Sequence, residues 1–200
     1  VSLHHIEAAI ASHRPLVHES GRAIRHESAV LVPLYEHEGE PYLILTRRAA
    51  HMRTHTHQVA FPGGRTDPDD AGPWHTAVRE AHEEIDLDPA LPRRIGALDR
   101  FVTFSSDSLI HPEVAVLPGR PDLTASPDEV EHILHVRVIE LLHDDAFREE
   151  RWDFGGLDRP VTFFELHGDT VWGATASMLR QFLTIVTGVD DTPGGAEVPT

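Results

Sequence analysis

Residues 59 to 87 constrain this chain more than any other stretch. A short apolar run, Val59-Ala60-Phe61, stops at Pro62-Gly63-Gly64, and a loop rich in Asp and Pro follows. From Pro73 onward the apolar residues adopt helical spacing, and Pro73 itself suits a first helical turn. At about 100° per residue, Trp74, Val78, Ala81 and Ile85 share one stripe that needs a core to face. A strand must therefore hand over to a one-sided helix across a glycine pair. Glu80, Glu83 and Glu84 gather on an arc beside the stripe, while His75 and His82 point to another side, toward solvent. Arg79 stands four residues before Glu83, a spacing that lets the two pair.

Like charges at these spacings cost a few tenths of a kcal/mol per pair, which a solvated helix tolerates. Taken alone, the cluster reads first as a wet acidic face. A hard divalent cation with oxygen ligands would reverse the sign of the interaction. Glycine lets backbone approach a ligand closely, but a glycine pair alone usually marks a turn; the pair, a fixed-length loop and then R-E-x-x-E-E on a helix form a much more specific pattern.

The rest of the chain mixes helices and strands without strict alternation. Residues 2 to 12 read as a short helix. "AVLVPLYEHEGEPYLILTRR" reads as two strands joined at Glu38-Gly39-Glu40. "ALDRFVTF", "HPEVAVLP", "RPVTFFEL" and "DTVWG" read as strands, and "ATASMLRQFLTIV" as an amphipathic helix. "SPDEVEHIL" opens a helical turn or leads into a strand, and "VRVIELL" is ambiguous. The expected fold class is α/β, a sandwich built on a mixed sheet rather than a doubly wound parallel one. Residues 1 to 188 read as one domain and residues 189 to 200 as a flexible tail.

Composition narrows the function classes. Cysteine is absent, which removes disulfides, thiolate catalysis and Cys-based zinc sites. No apolar run reaches the ~18 residues of a membrane span, and the start lacks the pattern of a signal peptide. A cytoplasmic enzyme is the simplest expectation. The net charge of -16 disfavours nonspecific nucleic-acid binding. All 17 basic residues are Arg. The charge is uneven: Pro41 to Thr66 contains no Asp or Glu but holds Arg47, Arg48, Arg53 and Arg65, and Asp67 to Asp88 is densely acidic. That layout suits an anionic ligand held partly by Arg and partly through a divalent cation. His51, His55 and His57 have a zinc-like spacing. However, they lead into a strand, lack Cys, and belong to a chain with sixteen His, so they are read as a chance cluster. Phe61 and Phe104 are read as core, and Arg47 and Arg65 as surface residues.

"GGRTDPDDAGPWHTAVREAHEEIDL" resembles the Nudix box, G-x5-E-x7-R-E-U-x-E-E-x-G-U with U apolar. Arg79, Glu80, Ala81, Glu83, Glu84 and Leu87 match. The loop from Gly64 to Arg79 is one residue longer than the general pattern, Asp70 lies near the early Glu position, and Asp86 replaces the second Gly. "ILTRRAAHMRTHTHQVAFPGG" resembles the added signature of the coenzyme A diphosphatases, L-L-T-x-R-[SA]-x3-R-x3-G-x-V-x-F-P-G-G. Leu45, Thr46, Arg48, Ala49, Arg53, Val59, Phe61, Pro62, Gly63 and Gly64 match, and His57 replaces a Gly. "SPDEV" and "VWGATASML" also look like that subfamily, so the resemblance runs from about residue 29 to 186.

The resemblance implies a Nudix-type α/β/α sandwich and a diphosphatase that uses Mg²⁺ or Mn²⁺. The implied reaction cleaves coenzyme A, or a derivative, to adenosine 3′,5′-bisphosphate and 4′-phosphopantetheine. Glu80, Glu83 and Glu84 are then the implied metal ligands, with a carbonyl near Gly63 or Gly64 completing the shell. Arg79 would hold the carboxylates in place, and Arg48, Arg53, Gly63 and Gly64 would bind substrate. Guanidinium groups suit phosphate, although a structural ion pair is the plainer reading of Arg48 and Arg53. The general base can come from the helix or from a later loop in this superfamily. Glu129 is the candidate, beside its plain reading as a loop-surface acid. Family members are often homodimers. Two other functions stay open: a Nudix hydrolase of ADP-ribose, NADH or another nucleoside diphosphate derivative, and a nucleotide-binding module without turnover. The retained Glu cluster argues against the second.

Overall fold

The computed structural model describes residues 1–16, 24–50, 58–103, 107–153, 156 and 158–189. Its centre is strand β1 (His26–His37), which turns at Glu38 and Gly39 into β2 (Glu40–Arg48). Both turn residues have positive φ, 54° and 79°, as a two-residue hairpin loop demands. The antiparallel β4 (Gly63–Arg65) pairs with β1 at Ala29↔Gly64, and β3 (Val59–Ala60) pairs with β2. On its other edge β1 runs parallel to β7 (Ser108–Val116). β5 (Arg93–Ala97) and β6 (Phe101–Val102) pair with β7, and β8 (Val130–Arg137) pairs with β2. One parallel pair among antiparallel ones makes this the expected mixed sheet.

Side chains on these strands alternate between two cores, because successive residues of a strand point to opposite faces. Ala29, Leu31 and Tyr35 of β1, Ile44 of β2 and Ala115 of β7 meet Ala77, Val78, Ala81 and Ile85 of helix α2 (Pro73–Ile85). Val32, Leu34, Leu43, Leu45, Val114 and Val116 face the opposite layer. That layer holds helix α1 (Leu3–Ser12), through Ile6 and Ile10, and helix α3 (Gly173–Thr187), through Met178, Leu179, Phe182 and Val186. A second antiparallel sheet belongs to it, with β10 (Asp158–Leu166) between β9 (Phe147–Asp153) and β11 (Asp169–Trp172). Helices therefore cover both faces, and the fold is the α/β sandwich that was expected. No helix among the described residues is long and apolar enough to cross a membrane.

Several local expectations need correction. "ALDRFVTF" is not one strand; it is the end of β5, a break, and the two residues of β6. "SPDEVEHIL" leads into β8, and "VRVIELL" closes that strand into a 3-10 turn at Val138–Leu142. Strand β9, "FREERWD", carried no strand signal, because it is an exposed edge dense in charge. Arg47 is no free surface residue. Its Nη1 donates to Asp169 at 3.1 Å, tying β2 to β11. Phe61 is core, whereas Phe104, Arg53 and the three clustered histidines His51, His55 and His57 lie outside the described residues.

Candidate active site

Helix α2 starts without a side-chain cap at Gly72 and ends at Asp86, in the left-handed conformation with φ 55° and ψ 33°. The Asp86 N–H donates to His82 O at 2.9 Å, which closes the last turn. This position calls for the backbone that Gly adopts freely. Asp is one of the few other residues that enter it routinely, so the departure from the motif changes the energy of the helix end and leaves its geometry intact.

The glycine pair seats the helix on the sheet. A Cβ on Gly63 would run into Ala29 O and Val30 of β1, and a Cβ on Gly64 would overlap the Glu80 carboxylate. The Gly63 N–H donates to Glu84 Oε2 at 3.2 Å. Both glycines are therefore required by close approach, one to the sheet and one to a carboxylate.

The three glutamates of the arc do not share one environment. Glu84 is 3% exposed, in line with the core residues around it. Burial pushes its carboxyl up to about 8, against the opposing pull of Arg48 and the Gly63 N–H, and the charges of Glu129 and Glu80 push the same way as burial. Glu80 is also raised, first by burial, with Arg79 opposing and Glu83 and Glu129 adding. Glu83 is half exposed and pairs with Arg79 at 3.1 Å. The wheel put all three beside the core; in the folded chain the arc grades from buried Glu84 to solvated Glu83.

Arg79 is held by more than Glu83. Its Nε and Nη2 donate to the two oxygens of Asp70 at 3.1 and 2.9 Å. Nη1 reaches Glu80 Oε1 at 2.9 Å, and Nη2 also donates to the Arg65 carbonyl at 3.0 Å. Asp70 accepts from Thr76 Oγ1 at 2.8 Å and from the Asp67 N–H at 3.0 Å. The Arg79 guanidinium holds the Asp70 carboxyl well below the usual range. Asp70 is thus the buried anchor of the network, a role the sequence reading missed. The only signal was its place near the early Glu of the motif.

The basic side of the site is β2. Arg48 Nη1 lies 3.7 Å from Glu84 Oε1, and Arg48 Nε is buried without a hydrogen-bond partner among the described residues. The segment after β7 returns across the end of α2. Thr124 N–H donates to Ile85 O at 3.1 Å, and Ser126 N–H to Glu84 O at 2.8 Å. Its far end is fixed by the Ala49 N–H, which donates to Glu129 O at 2.9 Å. The bonds to Ile85 O and Glu84 O use carbonyls that a helix C-terminus leaves unsatisfied. They also bring Glu129 close enough for its charge to act on both Glu80 and Glu84.

Among the described residues no three Asp, Glu or His side chains already converge as a metal site. The donor chemistry nevertheless suits a hard divalent cation. Glu80, Glu83, Glu84 and Glu129 offer only oxygen, and Glu80 and Glu84 are disfavoured as anions by burial and by neighbouring carboxylates. A cation near Gly64 would relieve both penalties.

The NUDIX domain family matches residues 25–154. The chain is 38% identical over 157 residues to the uncharacterized Nudix hydrolase NudL of Enterobacter sp. (strain 638), covering 78% of this chain and 81% of that one. It is 36% identical over 167 residues to Nudix hydrolase 22, chloroplastic, of Arabidopsis thaliana, covering 80% of this chain and 55% of the relative. Among solved structures, a C. elegans Ap4A hydrolase binary complex superposes with a TM-score of 0.52 at 18% identity, covering 82% of this chain and 99% of the other. A MutT/nudix family protein from Enterococcus faecalis gives 0.53 at 13% identity, covering 95% and 83%. The two structures bear on the fold alone.

Proposed function

We propose, from the premise that this chain belongs to the Nudix hydrolase family, that its substrate is coenzyme A or a coenzyme A derivative. As a member of that family it is a hydrolase of nucleoside diphosphate derivatives, an activity that generally uses Mg²⁺ or Mn²⁺. The proposed products are adenosine 3′,5′-bisphosphate and 4′-phosphopantetheine. One observation carries the reading: the strand bearing "ILTRR" brings Arg48 to 3.7 Å from the Glu84 carboxylate. The arginine-rich signature and the acidic helix thereby border one site.

In this mechanism Glu80 and Glu84 would hold the divalent ion, with the half-exposed Glu83 as a further ligand. When bound, such an ion neutralises diphosphate charge and lowers the pKa of a coordinated water. Arg79, anchored by Asp70, positions Glu80 and Glu83 and does not touch substrate. Gly64 keeps the floor of the site open beneath Glu80. Arg48 and Arg53 take phosphate oxygens, for which a guanidinium fork is well shaped. Glu129 accepts the proton of the attacking water. A homodimer acting in the cytoplasm belongs to the same proposal.

The test is incubation with coenzyme A and Mg²⁺ or Mn²⁺, with products resolved by chromatography and mass. Adenosine 3′,5′-bisphosphate is expected. Cleavage of ADP-ribose or NADH with coenzyme A left intact would replace the substrate assignment and leave the family chemistry standing.

A further inference from the structure

Arg48 stands out because its guanidinium is only partly used. The Glu84 contact at 3.7 Å is an ion pair without hydrogen-bond geometry. Its Nε is buried with no acceptor among the described residues, although buried donors are nearly always satisfied. Glu84, in turn, has one oxygen on the Gly63 N–H and the other facing Arg48. Among the described residues, the only full positive charge drawn to this buried carboxylate is therefore a side chain with donors to spare.

We propose that Arg48 is an exchangeable counter-ion. In the empty site it stands as the one described cation against Glu84 and meets the charge of that buried carboxyl as it ionises, and when a phosphate group arrives it turns to the phosphate and leaves Glu84 to the divalent cation. Cation and phosphate then bind cooperatively, and the carboxylate does not draw in stray cations without substrate. The inference rests on the reading of Glu84 as a metal ligand and Arg48 as a phosphate contact, and adds that one residue trades between those two roles.

The geometry favours this exchange over a fixed pair. A fixed pair of this kind ordinarily spends its fork on two parallel bonds, as Arg79 does with Asp70 at 3.1 and 2.9 Å. The same site thus contains one locked arginine and one loose one. Arg48 also sits at the end of β2, where the ladder with β8 shifts register; its own N–H is held by Gln58 O at 3.0 Å, so the exchange is a turn of the side chain on a fixed backbone.

Direct Mn²⁺ titration by calorimetry, with no phosphate compound present, separates three roles by sign. An exchangeable counter-ion predicts that Arg48→Gln binds Mn²⁺ more tightly than wild type, by about tenfold, the usual size of coupling between linked sites. A residue that only contacts substrate predicts no change, and one that only braces Glu84 predicts weaker binding; either result overturns the proposal. A second titration adds α,β-methylene-ADP, a diphosphate that is not cleaved. It should tighten Mn²⁺ in the wild type by a larger factor than in the variant, and equal factors would also overturn the exchange. Arg48→Met keeps the aliphatic stem and repeats the test if the Gln variant is not folded by circular dichroism. Wild type that takes up no Mn²⁺ under either condition would remove the metal-site reading itself, a different failure from an unchanged affinity in the variants.

Discussion

Glu84→Gln yields a sharp prediction, because the energy involved can be worked from the site. The Glu84 side chain is 4% exposed and its carboxyl is pushed from 4.5 to about 8, mainly by burial. In the unfolded chain it ionises at its ordinary value. Between those two values the metal-free native state binds a proton that the unfolded state has released. Stability must then fall as pH rises through the window, the opposite of the usual carboxylate. At about 1.4 kcal/mol per pH unit, the loss between pH 5 and pH 8 is roughly 4 kcal/mol. Gln imitates the protonated acid and cannot ionise, so Glu84→Gln should lose this slope. The pull of Arg48 is already contained in that value, and below about pH 8 the wild-type carboxyl is as neutral as Gln, so the substitution takes no charge from Arg48 in this window. The assay is urea denaturation with chelator present, in half-unit steps from pH 5 to pH 8.5, comparing slopes rather than absolute stabilities. Parallel curves for the two proteins would refute the argument that burial governs this carboxylate.

Asp86→Gly should stabilise the protein by about 1 kcal/mol, because it relieves the left-handed backbone at the end of α2. In a chain of this length that is a rise of about 2–4 °C in Tm, read by calorimetry. Gly64→Ala should displace the Glu80 carboxylate and lower kcat about 100-fold with Mg²⁺ or Mn²⁺ while far-UV dichroism is retained; unchanged kcat would show that Glu80 need not lie over Gly64. Asp70→Asn should cost about 2 kcal/mol, the worth of hydrogen bonds to a charged group, measured by urea denaturation. Its kcat should fall more than its KM changes, since Asp70 acts on Arg79 and not on substrate.

The main sheet and α2 were legible because their signals are local. Alternation in β1 and β2, Pro73 at the helix start and the stripe of Val78, Ala81 and Ile85 each follow from short-range chemistry. Strand β9 was not legible, since an edge strand with charge on both faces has no period to read. The outer strands β5 and β6 were misdrawn for a related reason: their limits come from pairing with β7, not from their own residues. On α2 the clustering of the three glutamates beside the core stripe was legible, but their ranking by burial was not. A helical wheel places Glu83 and Glu84 side by side, and only the packing of β2, the Gly63 N–H and the segment after β7 sets one in solvent and the other in the core. Asp70 was hidden because its partner lies nine residues away, across a loop whose path the sequence does not state.

Strand β1 is paired on both edges and packed on both faces, so its residues are sorted by odd and even number: Ala29, Leu31 and Tyr35 serve the α2 core, and Val32 and Leu34 the opposite one. Inserting or deleting a single residue within it would exchange the two sets. Alanine-sized and leucine-sized cavities would trade places, and Gly63 and Gly64 would meet the wrong partners on β1. Length variation among descendants of this chain is thus excluded from β1 itself. β1 can drift in composition only within each parity class, and the spacing from Ala29 to helix α2 is protected by arithmetic as much as by chemistry.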